Sequence, residues 1–173
     1  MIAYIISKNA KILFVGINPH YGSYRRGIPF SNNKMFWYLL SRSGIINESV
    51  RDLKDDKNLK RIYKNRFRQI YNLNFTNIIM RPSHDVSQLK RGEENDGRRR
   101  IRHVILKCKP KVVCFIGKVT YSKFLGSNDF KFGWQTDIYD SKMYVMHFPL
   151  RGKASVRIKE LREINKVAGN GKK

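Results

Sequence analysis

The sequence predicts an α/β fold, a three-layer αβα sandwich around a short, mainly parallel four-stranded sheet. Three observations predict it. Short apolar runs alternate with segments whose apolar residues recur at helical spacing, the pattern that builds a parallel sheet covered on both faces. Four of those runs end in polar or turn-forming residues, at Asn18-Pro19, Arg81-Pro82, Gly117-Lys118 and His147-Phe148-Pro149. The 173 residues contain no internal repeat, linker or low-complexity block, which suits one domain over 1–168 with a frayed basic tail at 169–173.

Each element has its own signal. Residues 11–17 (KILFVGI) form an apolar run that stops at Asn-Pro and read as a buried strand. Residues 33–42 carry Phe36, Trp37, Leu39 and Leu40 at helical spacing, closed by Ser43-Gly44. A second helix is expected over 58–72, with Leu59, Ile62, Tyr63, Ile70 and Tyr71 near one face. Residues 75–80 (FTNIIM) read as a strand stopped by Arg81-Pro82. A helix over 98–107 is expected to turn Ile101, Val104, Ile105 and Cys108 inward. Residues 111–116 (KVVCFI) are the clearest central strand, followed by a short helix at 119–125 and a turn at 126–129. The last strand is 143–148 (MYVMHF) and the last helix 155–167. In open parallel sheets ligands sit outside the carboxyl ends of the strands, so the four loops should converge on one site.

Composition narrows the partner. Thirty-six Lys and Arg against 13 Asp and Glu give a formal charge of +23, and a polyanion would relieve that self-repulsion. Nucleic acid leads, with an anionic membrane surface far behind. With 41% hydrophobic and 12% aromatic residues the chain is no disordered basic tail. Its two cysteines, Cys108 and Cys114, exclude a disulfide framework or a thiolate metal cluster and read as inert core residues. No apolar run approaches the ~20 residues of a membrane span and the first residues form no signal peptide, so an intracellular protein that does not enter membranes is expected. Basic residues cluster at Lys60, Arg61, Lys64, Arg66 and Arg68, at Arg98, Arg99, Arg100 and Arg102, and at Arg151, Lys153 and Arg157. A charge run is ordinarily a solvated face, and the third cluster is the best candidate for phosphate contact.

The loops exclude some chemistry. Gly16-Ile17-Asn18-Pro19-His20-Tyr21-Gly22 holds too little of GxGxxG for a dinucleotide site, and Gly117-Lys118 lacks the rest of a P-loop. His84-Asp85 could pair, but no Ser or Cys nucleophile stands near to complete a hydrolase triad. On spacing alone, Asn18-Pro19 reads as a turn initiator after a strand.

The segment VGINPHYGSYRRGIPFSNNKMFWYLLSRSG (15–44) resembles the first motif region of the mismatch-specific uracil/thymine branch of the uracil-DNA glycosylase superfamily. That pattern has Gly-Ile-Asn-Pro, then Gly-x-Pro-Phe, then a helix with Phe-Trp. The order continues with TNIIMRPS (76–83), KPKVVCFIGKVTY (109–121) and MHFPLRGKAS (146–155). The resemblance implies a monofunctional DNA glycosylase acting in base excision repair, with DNA carrying uracil or a mismatched base as partner, no metal or other cofactor, and a monomeric state.

The resemblance also implies roles. Asn18 matches the residue that positions the attacking water, since its oxygen can accept a water proton and aim the lone pair at C1′. Phe30 matches the aromatic that stacks on the flipped base, with core packing as the alternative. Ile17 falls in the same base-binding segment, and Asn77 falls where a side chain faces the edge of the base or caps a strand end. His20 stands where the pattern commonly has Gly and where uracil-strict branches have Tyr; it either crowds the thymine methyl or points to solvent. The last motif departs from the branch, because Phe148 separates His147 from Pro149. Other branches carry a His there near uracil O2, so His147 is either a donor to the leaving base or a strand-end His satisfied by backbone. Leu150, Arg151, Gly152 and Lys153 match the wedge loop that fills the space left by the flipped nucleotide, although a loop Leu is often core. Two readings from other classes stand beside this one: a non-catalytic nucleic-acid-binding module of the same fold, and an unrelated small α/β enzyme acting on a phosphorylated metabolite.

Overall fold

The computed structural model describes residues 1–169. Four strands run parallel, β1 (Ile12–Gly16), β2 (Leu73–Asn77), β3 (Val112–Ile116) and, after an edge strand β4 (Gly133–Ile138), β5 (Ser141–Met146). The order is β2-β1-β3-β5-β4, with β4 antiparallel to β5. In register, Ile12 pairs with Leu73 on one side and Val112 on the other, and Val113 with Met143. The four expected strands are present, each within a few residues of its predicted bounds. The sheet has five strands rather than four. β4 escaped the sequence because it is an edge strand with no residue fully buried and an irregularity between Gln135 and Ile138, so it has no apolar run.

Helices α1 (Tyr21–Arg26), α2 (Met35–Ser43), α3 (Val50–Lys54), α4 (Asp56–Ile62), α5 (Glu94–Cys108), α6 (Lys118–Leu125) and α7 (Ala154–Gly169) cover the sheet. α1 and α3, only six and five residues long, are too short to show apolar periodicity. Ser49 and Asp55 cap α3 and α4 by accepting from Asp52 N and Asn58 N. The helix expected over 58–72 is in fact α4 followed by a π-helical turn at Tyr63–Phe67, which carries Phe67 to within 5.3 Å of the buried Trp37 ring. Gly169 ends α7; the rest of the expected tail, 170–173, lies outside the described residues.

Alternation along each buried strand produces two cores. Ile12, Phe14, Val112 and Cys114 face the layer containing α2 and α7, while Leu13, Val15, Val113 and Phe115 face α5 and α6. On the second face α5 lies so close to the chain beyond β2 that a Cβ on Gly97 would overlap the Ile78 carbonyl oxygen. Alanine normally gains about 1 kcal/mol over glycine in a helix. Here the overlap with fixed backbone should dominate, and Gly97→Ala is expected to lower stability by about 1–3 kcal/mol, read as a lower urea midpoint.

Candidate active site

A cavity of about 360 Å³ opens at the carboxyl ends of the parallel strands. Ile17, Asn18 and His20 reach it from the loop after β1, Asn77 and Ser83 from β2 and its loop, Thr120 from α6 beyond β3, and Phe148 from the loop after β5. The convergence expected of a parallel sheet is therefore present.

Asn18 is held by pairing that outlasts the strands. Beyond β1 and β2, Ile78 N donates to Gly16 O (2.9 Å), Ile79 N to Ile17 O (2.8 Å) and Ser83 N to Pro19 O (3.1 Å). Asn18 Nδ2 then donates to Ser83 Oγ (2.7 Å) and Arg81 O (3.2 Å), with Pro19 O at 3.4 Å. Carbonyl oxygens only accept, so the nitrogen must face them. Nothing among the described residues donates to Asn18 Oδ1, which leaves an acceptor at the cavity wall.

Phe30 stands at the boundary between core and cavity. It lines the cavity and is half-buried against Phe36 (4.9 Å between centroids) and edge-on to Phe75 (5.6 Å). Its φ of 53° is left-handed, an unfavourable conformation for an aromatic residue. The preceding loop is pinned by Trp37 Nε1 donating to Pro29 O (2.7 Å) and Ser31 Oγ to Ile28 O (2.9 Å). Asn77 also lines the cavity but is only 3% exposed, and its Nδ2 donates to Tyr4 Oη at 2.6 Å. Its amide donor is thus engaged within the protein. Burial pushes the Tyr4 hydroxyl up, keeping it neutral. Tyr4 and the cavity-lining Ile2 come from an N-terminal segment whose sequence shows no periodicity, so neither was legible beforehand.

His147 is not brought to the cavity. Its Nδ1 lies 2.7 Å from Glu160 Oε1, its backbone N donates to Glu160 Oε2 (3.1 Å), and its ring stacks on Phe132 (3.7 Å between centroids). Phe148, the residue that departs from the resemblance, lines the cavity instead. Gly117 accommodates it, since a Cβ there would stand 3.3 Å from the Phe148 ring. Leu150 is 48% exposed beside the cavity, with Arg151 in its wall and Gly152 and Lys153 exposed beyond. Arg157 is not free for phosphate. It is buried and donates to Phe148 O (2.8 Å) and Lys153 O (2.7 Å), bracing the loop from inside. The Arg98–Arg102 cluster is partly engaged within the protein, with Arg98 and Arg100 half-buried and Arg99 and Arg102 exposed. Arg98 donates to Lys123 O, Arg99 pairs with Asp96, Arg100 donates to Thr76 Oγ1, Asn77 O and Ile78 O, and Arg102 lies over the Phe124 ring. Burial drives the Cys114 thiol well up, consistent with an inert core residue.

The family model described as the uracil DNA glycosylase superfamily matches residues 4–162. The chain belongs to that superfamily. It is 26% identical over 151 residues to the G/U mismatch-specific uracil DNA glycosylase of Schizosaccharomyces pombe, a match covering 81% of this chain and 44% of that protein. The chain thus spans less than half the length of this curated relative.

His20 caps α1 by accepting from Gly22 N at Nδ1 (3.0 Å), which fixes its proton on Nε2. Burial first, then His84, Arg25 and Arg26, hold its pKa below the usual histidine value. The neutral ring therefore contributes stability above the ordinary histidine range, lost as pH falls through the lowered folded value. His20→Asn keeps a capping side chain and removes the titration. Thermal midpoints measured across falling pH should drop less in His20→Asn than in the wild type, with His84 present in both.

Proposed function

We propose that this member of the uracil DNA glycosylase superfamily is a monofunctional DNA glycosylase that removes uracil from DNA. It flips the nucleotide out of the duplex and hydrolyses the N-glycosidic bond, acting as an intracellular monomer without metal or cofactor. The observation that carries this reading is the unengaged Asn18 Oδ1 at the wall of a cavity that also presents the Phe30 ring. A water donating to Oδ1 would have its lone pair aimed at C1′. As the water oxygen bonds to C1′, the bond to the base breaks and its electron pair leaves with the base. The water proton then passes to solvent, since a carboxamide is too weak a base to keep it.

Phe30 supplies the face on which the extruded base stacks, and Ile17 and His20 supply the adjoining wall. His20, larger than Gly, favours uracil over the methylated ring of thymine. Asn77 meets the base edge through its oxygen and neighbouring backbone, because one of its amide hydrogens serves Tyr4. No donor role at uracil O2 is assigned to His147, whose ring is held by Glu160 and Phe132 away from the cavity. Leu150 enters the vacated stack, and Arg151 and Lys153 meet phosphates.

Incubation with a uracil-containing duplex followed by alkali should produce strand breaks at the uracil, and none without alkali, because no lysine-linked intermediate forms. A duplex left intact after alkali would refute the reading. Asn18→Ala should leave duplex affinity nearly unchanged and slow single-turnover excision by roughly 100-fold or more. Binding to undamaged duplex should weaken steeply with salt, and neutralising Arg151 or Lys153 should each reduce the log–log slope by about one. A slope unchanged from the wild type in both variants would place phosphate contact elsewhere.

A further inference from the structure

We propose that Ser83 is a positioning residue, whose hydroxyl fixes which end of the Asn18 carboxamide faces the cavity. The inference rests on the glycosylase reading of Asn18 and adds the group that orients it. Ser83 is buried, and its backbone is anchored by Ser83 N donating to Pro19 O (3.1 Å). Its hydroxyl has one hydrogen, and that hydrogen goes to Asp85 O at 2.9 Å. Only lone pairs remain on the side facing Asn18, 2.7 Å away. The Asn18 atom opposite them must therefore be Nδ2, and Oδ1 is turned out as the free acceptor.

The surrounding loop keeps the hydroxyl in that role. Asp85 is itself fixed, with Oδ1 accepting from Ser87 N (2.7 Å) and its carbonyl accepting from Gln88 N (3.2 Å) as well as from Ser83. Arg81 O, the second acceptor for Asn18, is placed by a two-pronged pair between Arg81 and Glu93, with Nε and Nη2 at 2.6 and 2.9 Å from its oxygens. Arg81 also donates to Gln88 O (3.0 Å). A flipped Asn18 carboxamide would set Oδ1 against two acceptors and turn an amine toward the water, which would then meet a donor instead of an acceptor. With the hydroxyl removed, only Arg81 O (3.2 Å) and Pro19 O (3.4 Å) discriminate between the two orientations, both at longer distances.

The test is single-turnover excision from a uracil duplex, with affinity measured on an undamaged duplex and folding monitored by thermal midpoint. Ser83→Ala should slow excision by between roughly 10- and 100-fold with affinity unchanged. Ser83→Thr, which keeps the hydroxyl, should recover most of the rate. In an Asn18→Ala background, Ser83→Ala should change the rate no further, because its effect passes through Asn18. Should Ser83→Ala fail to fold, the near-isosteric pair Ser83→Thr and Ser83→Val decides, since the two differ chiefly by the hydroxyl. Equal rates in that pair, or a Ser83→Ala loss that multiplies with the Asn18→Ala loss, would overturn the assignment. A slow Asn18→Ala beside an unaffected Ser83→Ala overturns Ser83 alone. A wild type inactive on every uracil duplex overturns the glycosylase reading and this assignment with it.

Discussion

Two stretches of chain that have stopped being strands stay hydrogen-bonded in parallel between Gly16 and Ser83, and the cavity depends on that continued pairing. Three backbone bonds run from the β2 side to the β1 side, at Gly16 O, Ile17 O and Pro19 O. They carry Arg81 O and Ser83 Oγ to the Asn18 carboxamide, so the groups that orient it are themselves placed by backbone pairing. The close approach has one steric condition at the end of β1. The Asn77 carboxamide lies over Gly16, where a Cβ would overlap Asn77 Oδ1. Glycine is needed there for room, and through Asn77 that room extends to Tyr4 and the N-terminal segment.

The positive charge serves the fold before it meets any ligand. Loops that line a cavity carry carbonyls with no strand or helix partner, and a guanidinium with five donors can satisfy several at once. Arg100 does this just beyond β2, Arg157 just beyond β5, and Arg81 within the loop that holds Asn18. Burial lowers the pKa of Arg100, a cost that its three oxygen partners offset. Each such arginine satisfies a loop, and none of the three is a bare surface cation: Arg157 is buried and Arg81 is matched by Glu93.

The parallel strands were legible because burial on both faces produces continuous apolar runs such as VVCF, and a run needs no partner to be recognised. β4 was not, because an edge strand is defined by its neighbour β5 and not by its own pattern. Asn18 and Phe30 were legible through a local motif within one loop. Ser83 stood inside a quoted motif, but its role arises only when the loops after β1 and β2 meet 65 residues apart in sequence. Tyr4 and Ile2 had no signal at all. His147 is the opposite case. A familiar residue type at a strand end suggested a role, and the structure places Phe148, the next residue, at the cavity instead.

That placement also alters what the last loop can do. Phe148 and Leu150 place apolar surface in water at the cavity mouth, a cost of roughly 25 cal/mol per Å² that a purely structural loop would avoid by turning both inward. They are kept outward by three constraints. The Gly117 turn receives the Phe148 ring, Arg157 holds the carbonyls of Phe148 and Lys153, and Gly152 adopts a φ of 76° with the Arg157 guanidinium packed where a side chain would begin. The loop is therefore built before any ligand arrives. In the proposed reaction, opening a base stack costs a few kcal/mol, and a wedge that had to order itself at the same moment would add its own conformational entropy. A braced loop removes that second cost, so the interaction energy of Leu150 with the stack can act against unstacking alone. The same bracing explains why so basic a chain buries one of its arginines beneath this loop instead of presenting it to phosphate.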